Sequence, residues 1–346
     1  MYILEQVPLN AYSTMRLGGN AAYLTEVNSR ADVVAAVSWA NGKGLPVIVI
    51  GGGSNIVWRD EGYPGLVIVN RIMGIEEQEA PGNGRYFTVG AGVTWDEFVA
   101  EVTRQGFTGV EFLSLIPGTV GGTPIQNVGA YGQEVANTII TLEAFDLVTN
   151  QLVNLRSSDC KFTYRSSMFK EGHRRYIITA VTFSLQRGNP QPPFYGAVQT
   201  YLDTHQLTDI TPQQGRDATI AIRSAKLPDP KIVANTGSFF ANPVISTEQY
   251  FNLQNQYPEL MHWMVSDNQV KLSAAWLIEK AGFKDHHDPE TGMATWPTQP
   301  LVLVNESAHS SSQLCAYRDK IIAAVQNQFG VTLTQEPEIL PEQIIQ

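Results

Sequence analysis

The sequence predicts an α+β fold in two parts, and three observations predict it. Helix-period and strand-period segments alternate through residues 30 to 115, short alternating strands dominate from Ile139 to Leu185, and helical patterns return after a proline-rich break. The length fits this division, since 346 residues correspond to about two or three domains of ordinary size. Hydrophobic residues make up 43% of the chain and charged residues 16%, a balance that supplies a large core and excludes disorder or a coiled coil. With 23 basic against 33 acidic residues the net charge is −10, which disfavours nucleic acid as a partner. The stretch MYILEQVPLN has no basic segment leading into an apolar core, and no run of about 18 apolar residues occurs, so no export signal or membrane insertion is expected and the expected location is cytoplasmic. Cys160 and Cys315 are too far apart in sequence for a metal-ligand spacing and read as reduced, structural thiols.

Taken in order, Val33, Val34, Val37 and Trp39 mark a helix, followed by the strand LPVIVI, the glycine turn GGGSNIV and the strand GLVIVN. The strand YFTVGAG then leads into TWDEFVAEVTRQG, where Trp95, Phe98, Val99 and Val102 share one helical face, with Thr94 as N-cap and Glu97 completing a capping box. IITLEAFDLV and RRYIITAVTFSL follow as strands. QRGNPQPPFYGAV, residues 186 to 198, reads as a semi-rigid linker, which sets a domain boundary near residue 190. Beyond it come a short helix around Asp217 to Ala225, the LPDPK break, the strand TGSFFANPVI and two strong helices. The last starts at the capping box Ser310-Ser311-Ser312-Gln313, turns Leu314, Tyr317, Ile321, Val325 and Phe329 toward a core, and ends at Gly330.

Two glycine-rich loops carry the chemistry. Ile50-Gly51-Gly52-Gly53-Ser54-Asn55 follows an apolar strand, and glycines let a phosphate approach the backbone, which suits a nucleotide or dinucleotide cofactor; a bare tight turn is the alternative. The dinucleotide fingerprint G-x-G-x-x-G fails, because Ile56 stands where the third glycine belongs and no helix pattern follows. The second loop, from Ile116 to Gly132, is long, poor in charge and rich in glycine and amides, and it suits lining a large flat cofactor with its pyrophosphate. The Gly42-Lys43 pair lacks an upstream glycine, so no ATP-type phosphate loop is present.

These loops, followed by Tyr164-Arg165-Ser166-Ser167-Met168-Phe169-Lys170, Lys226-Leu227-Pro228-Asp229-Pro230-Lys231, Gly237-Ser238-Phe239-Phe240 and Glu336-Pro337-Glu338, resemble the UDP-N-acetylenolpyruvoylglucosamine reductase (UDP-N-acetylmuramate dehydrogenase) family over nearly the whole chain. The proline-rich insertion with Tyr195 resembles the longer subfamily, whose tyrosine closes over substrate. The resemblance implies a flavoprotein oxidoreductase of peptidoglycan synthesis. In such an enzyme non-covalent FAD takes hydride from NADPH and passes it to an enolpyruvyl sugar nucleotide, giving UDP-N-acetylmuramate. It implies a two-lobed FAD-binding domain of the vanillyl-alcohol-oxidase/PCMH type at residues 1–190, with lobes of about 1–70 and 71–190. An α+β substrate-binding domain at 191–330 and a C-terminal segment, 331–346, that returns to the flavin complete the expected organisation. Oligomeric state stays open, a monomer included.

By resemblance, the flavin contacts are Gly51, Gly52, Gly53, Ser54 and Asn55, then Ile116, Pro117, Gly118, Gly121, Gly122, Thr123, Ile125, Asn127, Gly129, Ala130 and Tyr131. Substrate contacts are Tyr164, Tyr195, Arg223, Lys226, Asn242, Lys271, Lys284 and Gln299, several of them cations that a diphosphate needs despite the acidic average. Ser238 matches the proton donor and Arg165 the arginine that steadies the carboxylate and the developing negative charge. Glu338 matches a third position, as a protonated acid or as an orienting carboxylate, with Glu336 the alternative should the register slip. Three departures from the family pattern stand out: a third glycine at Gly52, Leu340 in place of an arginine, and Trp263 near where a tyrosine meets the uracil ring.

The competing enzyme reading is a flavin oxidase of the same superfamily. Its usual covalent attachment to an early histidine is not available, because His173, His205, His262, His286, His287 and His309 all follow the glycine loops. Asp285-His286-His287-Asp288 reads as a polar loop, and no metal is assigned. A non-catalytic flavin or nucleotide-sugar module would keep the loops but need none of Arg165, Ser238 and Glu338.

Overall fold

The computed structural model describes residues 1–172 and 174–342; His173 and the end of the expected C-terminal segment, 343–346, lie outside the described residues. The chain divides into two compact units, one of Met1–Val7, Ala21–Gly52 and Pro64–Ala225, the other of Pro8–Asn20, Gly53–Tyr63 and Lys226–Gln346.

Among the described residues the first unit holds a short hairpin of Gly129–Ala130 with Gln133–Glu134 and two main sheets. In the smaller, the strands run in the order Leu4–Pro8, Asn20–Val27, Tyr63–Asn70, Val47–Ile50, the last two parallel. The helix Arg30–Gly42 is capped by Ser29, whose side chain accepts from the Asp32 N–H. It buries Val33, Ala36, Val37 and Ala40, the i, i+3, i+4, i+7 face. The larger sheet is antiparallel and centred on Tyr176–Arg187, which pairs with Ile139–Asp146 on one side and Gly84–Gly90 on the other. Gln151–Arg156 and Ile75–Glu79 form its edges. Against it packs the helix Trp95–Arg104, with Trp95, Phe98, Val99 and Val102 fully buried as the periodicity predicts, each contributing about 1.5–3 kcal/mol. Thr94 stands before this helix but makes no capping bond. The Trp95 N–H instead donates to the Gly118 carbonyl at 3.0 Å, and Thr94 bridges to Thr119, so the helix start is tied to the second glycine loop.

The two compact units part at Ala225 and Lys226, beyond the proline-rich stretch near residue 190. Two helices, Gly196–Thr204 and the longer-than-expected Pro212–Lys226, follow the proline-rich stretch. Val198, Leu202, Ile210 and Ala218 share a core with Phe112, so these helices complete the first unit. Proline and glycine density marks a change of direction there, while buried apolar contacts decide which unit the chain joins.

The second unit contains an antiparallel sheet in the order Ala234–Ser238, Gln299–Asn305, Met293–Trp296, His287–Asp288 and a three-stranded sheet of Val244–Ser246, Gln269–Leu272 and His262–Ser266. The expected continuous strand TGSFFANPVI is therefore two strands, broken between Ser238 and Val244. Three helices, Thr247–Gln256, Ala274–Lys280 and Ser311–Phe329, replace the two expected. The last has the anticipated Ser310/Gln313 capping box, the buried Leu314, Tyr317, Ile321, Val325 and Phe329, and Gly330 at φ +64 as its stop. The Asp60 carboxylate also accepts the Ser311 and Ser312 N–H groups at this helix's positive end. Two early segments belong here because Met15, Leu17 and Val57 enter this core.

Candidate functional site

In the first unit the long glycine-rich loop is fastened by its own backbone. The N–H groups of Val120 and Gly121 donate to Val93 and Ala91, and those of Gly122, Thr123, Ile125 and Val128 close turns within the loop. These amides are thus spent internally, and the loop offers close approach more than a row of donors. Asn127, fully buried at φ +46, donates to the Glu134 carboxylate at 2.7 Å and to the Thr163 carbonyl, while its side-chain oxygen accepts the Ala136 N–H. The Ser167 hydroxyl donates to the Ile125 carbonyl at 2.6 Å. Both bonds bring the Arg165 segment against this loop.

Arg165 itself lies at φ +56, a left-handed backbone costly for a residue with a Cβ. One guanidinium nitrogen donates to the Gly129 carbonyl at 3.0 Å, and the cation lies 5.2 Å from the centre of the Tyr164 ring. Tyr131, also left-handed at φ +47, has its ring edge-on to Tyr195 at 5.7 Å. Burial pushes the Tyr131 hydroxyl upward in pKa, opposed by the neighbouring Arg223 cation, which also hydrogen-bonds to it. The structure therefore gathers Gly129, Ala130, Tyr131, Tyr164, Arg165, Tyr195 and Arg223 on one unit, although Tyr195 and Arg223 fall beyond the expected boundary.

The fit of these loops to a flat dinucleotide can be read from space alone. A Cβ at Gly51 would meet the Thr119 Oγ1 at 2.2 Å, and one at Gly52 would sit 3.2 Å from the Gly118 Cα. The two loops thus lie backbone against backbone at Gly52 and backbone against the Thr119 side chain at Gly51, and larger residues would force them apart. Such a glycine-walled cradle fits an FAD pyrophosphate.

The second unit takes up the chain again inside the first glycine loop, at Gly53. Gly53, at φ +68, has its would-be Cβ 2.2 Å from the Tyr12 carbonyl oxygen, and its own carbonyl accepts the Thr14 N–H. Asn55 accepts the Glu338 N–H at 3.0 Å, and Glu338–Leu340 then pairs in parallel with Ile56–Trp58. On its other side the same C-terminal stretch meets Phe239 and Phe240: the Glu336 N–H donates to Phe239, and Gln335 bridges to Phe240. Ser238 is therefore next in sequence to Phe239, a partner of the strap, and Glu338 belongs to the strap and bonds to Asn55. Gly237, at φ +73, turns the chain just before Ser238.

Among the remaining expected contacts, Lys271 pairs across strands with Trp263 and holds its ammonium 5.7 Å from that ring's centre. The Asn242 side-chain oxygen accepts the Ala274 N–H at 3.0 Å, so it serves the start of a helix. Lys284 is paired with Glu279 at 2.9 Å on the surface. Lys226 ends a helix, its carbonyl accepting from the Thr298 hydroxyl next to Gln299. Leu340 is buried, with its carbonyl taken by the Arg59 N–H. Sequence reasoning missed Thr119, Glu134 and Asp96. Thr119 and Glu134 sit within or beside the glycine-rich run, and Asp96 lies in the first turn of the Trp95–Arg104 helix.

Comparison with known proteins matches residues 21–155 to an FAD binding domain and residues 229–340 to the C-terminal domain of UDP-N-acetylenolpyruvoylglucosamine reductase. The chain is 40% identical over 337 residues to the UDP-N-acetylenolpyruvoylglucosamine reductase of Cupriavidus pinatubonensis, covering 97% of this chain and 98% of that protein. With the enzyme of that name from Pseudomonas putida it shares 39% identity over 335 residues, at 97% and 98% coverage. The crystal structure of the Thermus caldophilus UDP-N-acetylenolpyruvylglucosamine reductase has the same fold, with a TM-score of 0.67 at 22% identity over 98% of this chain and 100% of that one. With relatives of this name matched over 97% of this chain and 98% of theirs, and a match to both an FAD binding domain and the C-terminal domain of that reductase, the chain belongs to the UDP-N-acetylenolpyruvoylglucosamine reductase family.

Proposed function

We infer that the chain is an NADPH-dependent flavoprotein reductase of the enolpyruvyl group of UDP-N-acetylglucosamine enolpyruvate, making UDP-N-acetylmuramate for peptidoglycan synthesis. FAD, held non-covalently by the two glycine loops, supplies the hydride transfer between NADPH and the enolpyruvyl double bond. Reduction at one carbon of that bond builds negative charge on its neighbour and on the attached carboxylate. Arg165 meets that charge with a fixed cationic fork, and its left-handed backbone, retained at a cost, supports a functional role. The Ser238 hydroxyl gives its proton to the developing carbanion, and Glu338 donates to or orients the intermediate. Tyr164, Tyr195, Arg223, Lys226, Asn242, Lys271, Lys284 and Gln299 bind the nucleotide sugar. For Asn242 the contact falls to the amide nitrogen, since the oxygen is engaged.

The observation that carries this reading is the strap of residues 335 to 338, bonded both to the residues that follow Ser238 and to Asn55 in the first glycine loop. A structural C-terminus has no need of that double attachment, whereas an acid delivered to a flavin loop does. The reading carries with it a cytoplasmic location, where NADPH and nucleotide sugars are made. The test is spectroscopic: the purified chain shows a flavin spectrum, NADPH bleaches it without oxygen, and the enolpyruvyl sugar nucleotide restores the colour. Bleaching without restoration by that substrate overturns the reading.

A further inference from the structure

We propose that Asp96 and Arg216 form a positioning pair that fixes the helix carrying Arg223 to the backbone of the second glycine loop, and so sets the affinity for the substrate's diphosphate. This rests on the reading above that Arg223 contacts that diphosphate. The Asp96 carboxylate accepts the N–H of Leu115, the residue just before Ile116-Pro117-Gly118, and takes both prongs of the Arg216 fork at 2.6 and 2.8 Å. Arg216 is 9% exposed, and Leu115 is left-handed at φ +58, so both partners are held. One residue earlier, Gly215 brings the helix against the short helical turn Glu111–Leu113 that leads into the loop, so closely that an added Cβ would sit 3.1 Å from the Glu111 Cγ and 3.2 Å from the Phe112 ring. Arg223 follows Arg216 by seven residues, two helical turns, and therefore points from the same face. There it bonds to the Tyr131 hydroxyl, while its Nε is sealed from solvent with no hydrogen-bond partner among the described residues.

The chemistry favours positioning over bulk stability. A buried ion pair gains little over an apolar contact of equal volume, but a bidentate fork admits one rotation and one height of the helix. Apolar neighbours such as Val198 and Ala218 would tolerate a slide that moves Arg223 off a diphosphate.

The experiment compares Arg216→Gln and Arg216→Lys with wild type in the full flavin-loaded chain. Flavin content and NADPH bleaching stay as in wild type. The KM for the enolpyruvyl sugar nucleotide rises about tenfold or more, and kcat stays within about threefold. The Lys variant, unable to span both oxygens, falls between, and it decides the matter alone if the Gln variant does not fold. Arg223→Gln raises the same KM, and adding Arg216→Gln to it changes little more. An unchanged KM in Arg223→Gln defeats the diphosphate reading itself. A raised KM there with none in the Arg216 variants, or effects that multiply, defeats the positioning pair. So does an equal rise in Val198→Ala, a loosening of the same core that leaves the pair intact.

Discussion

Arg165 sits on a left-handed backbone, φ +56, in a loop whose place is fixed by side chains: Asn127, Ser167 and the arginine's own bond to Gly129. Glu338 sits in an extended strand whose place is fixed by a backbone ladder to Ile56–Trp58. The first arrangement stores strain and aims one cation, so it depends on residue identity at many positions. The second depends on register, and any residue that keeps the strand would keep its neighbours in place. Loss of a side chain should therefore act locally around Glu338 and Ser238, and loss of a glycine should act broadly in the loops.

The largest effect tests the chemical side of this contrast. Ser238→Ala should leave bleaching by NADPH intact and slow reoxidation by substrate roughly 10²–10⁴-fold in stopped-flow absorbance, and unchanged turnover would remove Ser238 as the proton donor. Next comes Gly53→Ala. With its Cβ due 2.2 Å from the Tyr12 carbonyl at φ +68, the variant should lose about 2 kcal/mol or more in denaturant unfolding and bind flavin poorly. Gly42→Ala, at the end of a helix with no heavy atom of the described residues outside its own turn within 4 Å of the new methyl, should be neutral or slightly stabilising, and equal damage at both sites would sink the close-approach account.

Arg165→Gly sharpens the comparison directly. Relief of a left-handed strain worth about 1–2 kcal/mol offsets the lost bond to Gly129, so activity should vanish while stability shifts by less than about 1 kcal/mol. The smallest effect lies at the rim of the large sheet. The side-chain bond from Arg175 holds the Asp146 carboxyl well below the usual carboxylate range, against the opposing pull of burial. A depressed folded pKa adds stability above the unfolded value of about 4, and that stability is lost as pH falls through the folded value. Melting curves of wild type and Asp146→Asn should differ at neutral pH and converge in strong acid. A gap independent of pH would assign the effect to packing.

Much of the secondary structure was legible because it rests on local periodicity. The buried face of Trp95–Arg104 and the Ser310/Gln313 capping box appear where the pattern puts them. Thr94 makes no capping bond, and the helix's first N–H, that of Trp95, is taken by the Gly118 carbonyl more than twenty residues away, a partner that no local pattern shows. That the first unit continues past QRGNPQPPFYGAV was not legible, because this stretch shows only that the chain turns, whereas Val198, Leu202, Ile210 and Ala218 had a core to join that lies far back in sequence. Asp96 escaped notice for the same reason, since its partner Arg216 belongs to a helix 120 residues on.

What the sequence determined alone is the set of elements and the chemical vocabulary. Glycine in the two loops, the RSS and GSF motifs and the EPE run are local facts, and their order was enough to identify the family. Tertiary structure decided which amides of the long loop are already spent, which glycines bear on a neighbouring backbone, and that a C-terminal strap joins Phe239 and Phe240 to Asn55. The physical reason is that local propensity acts over a turn or two of chain, while close approach and hydrogen-bond competition act between atoms that meet only after folding.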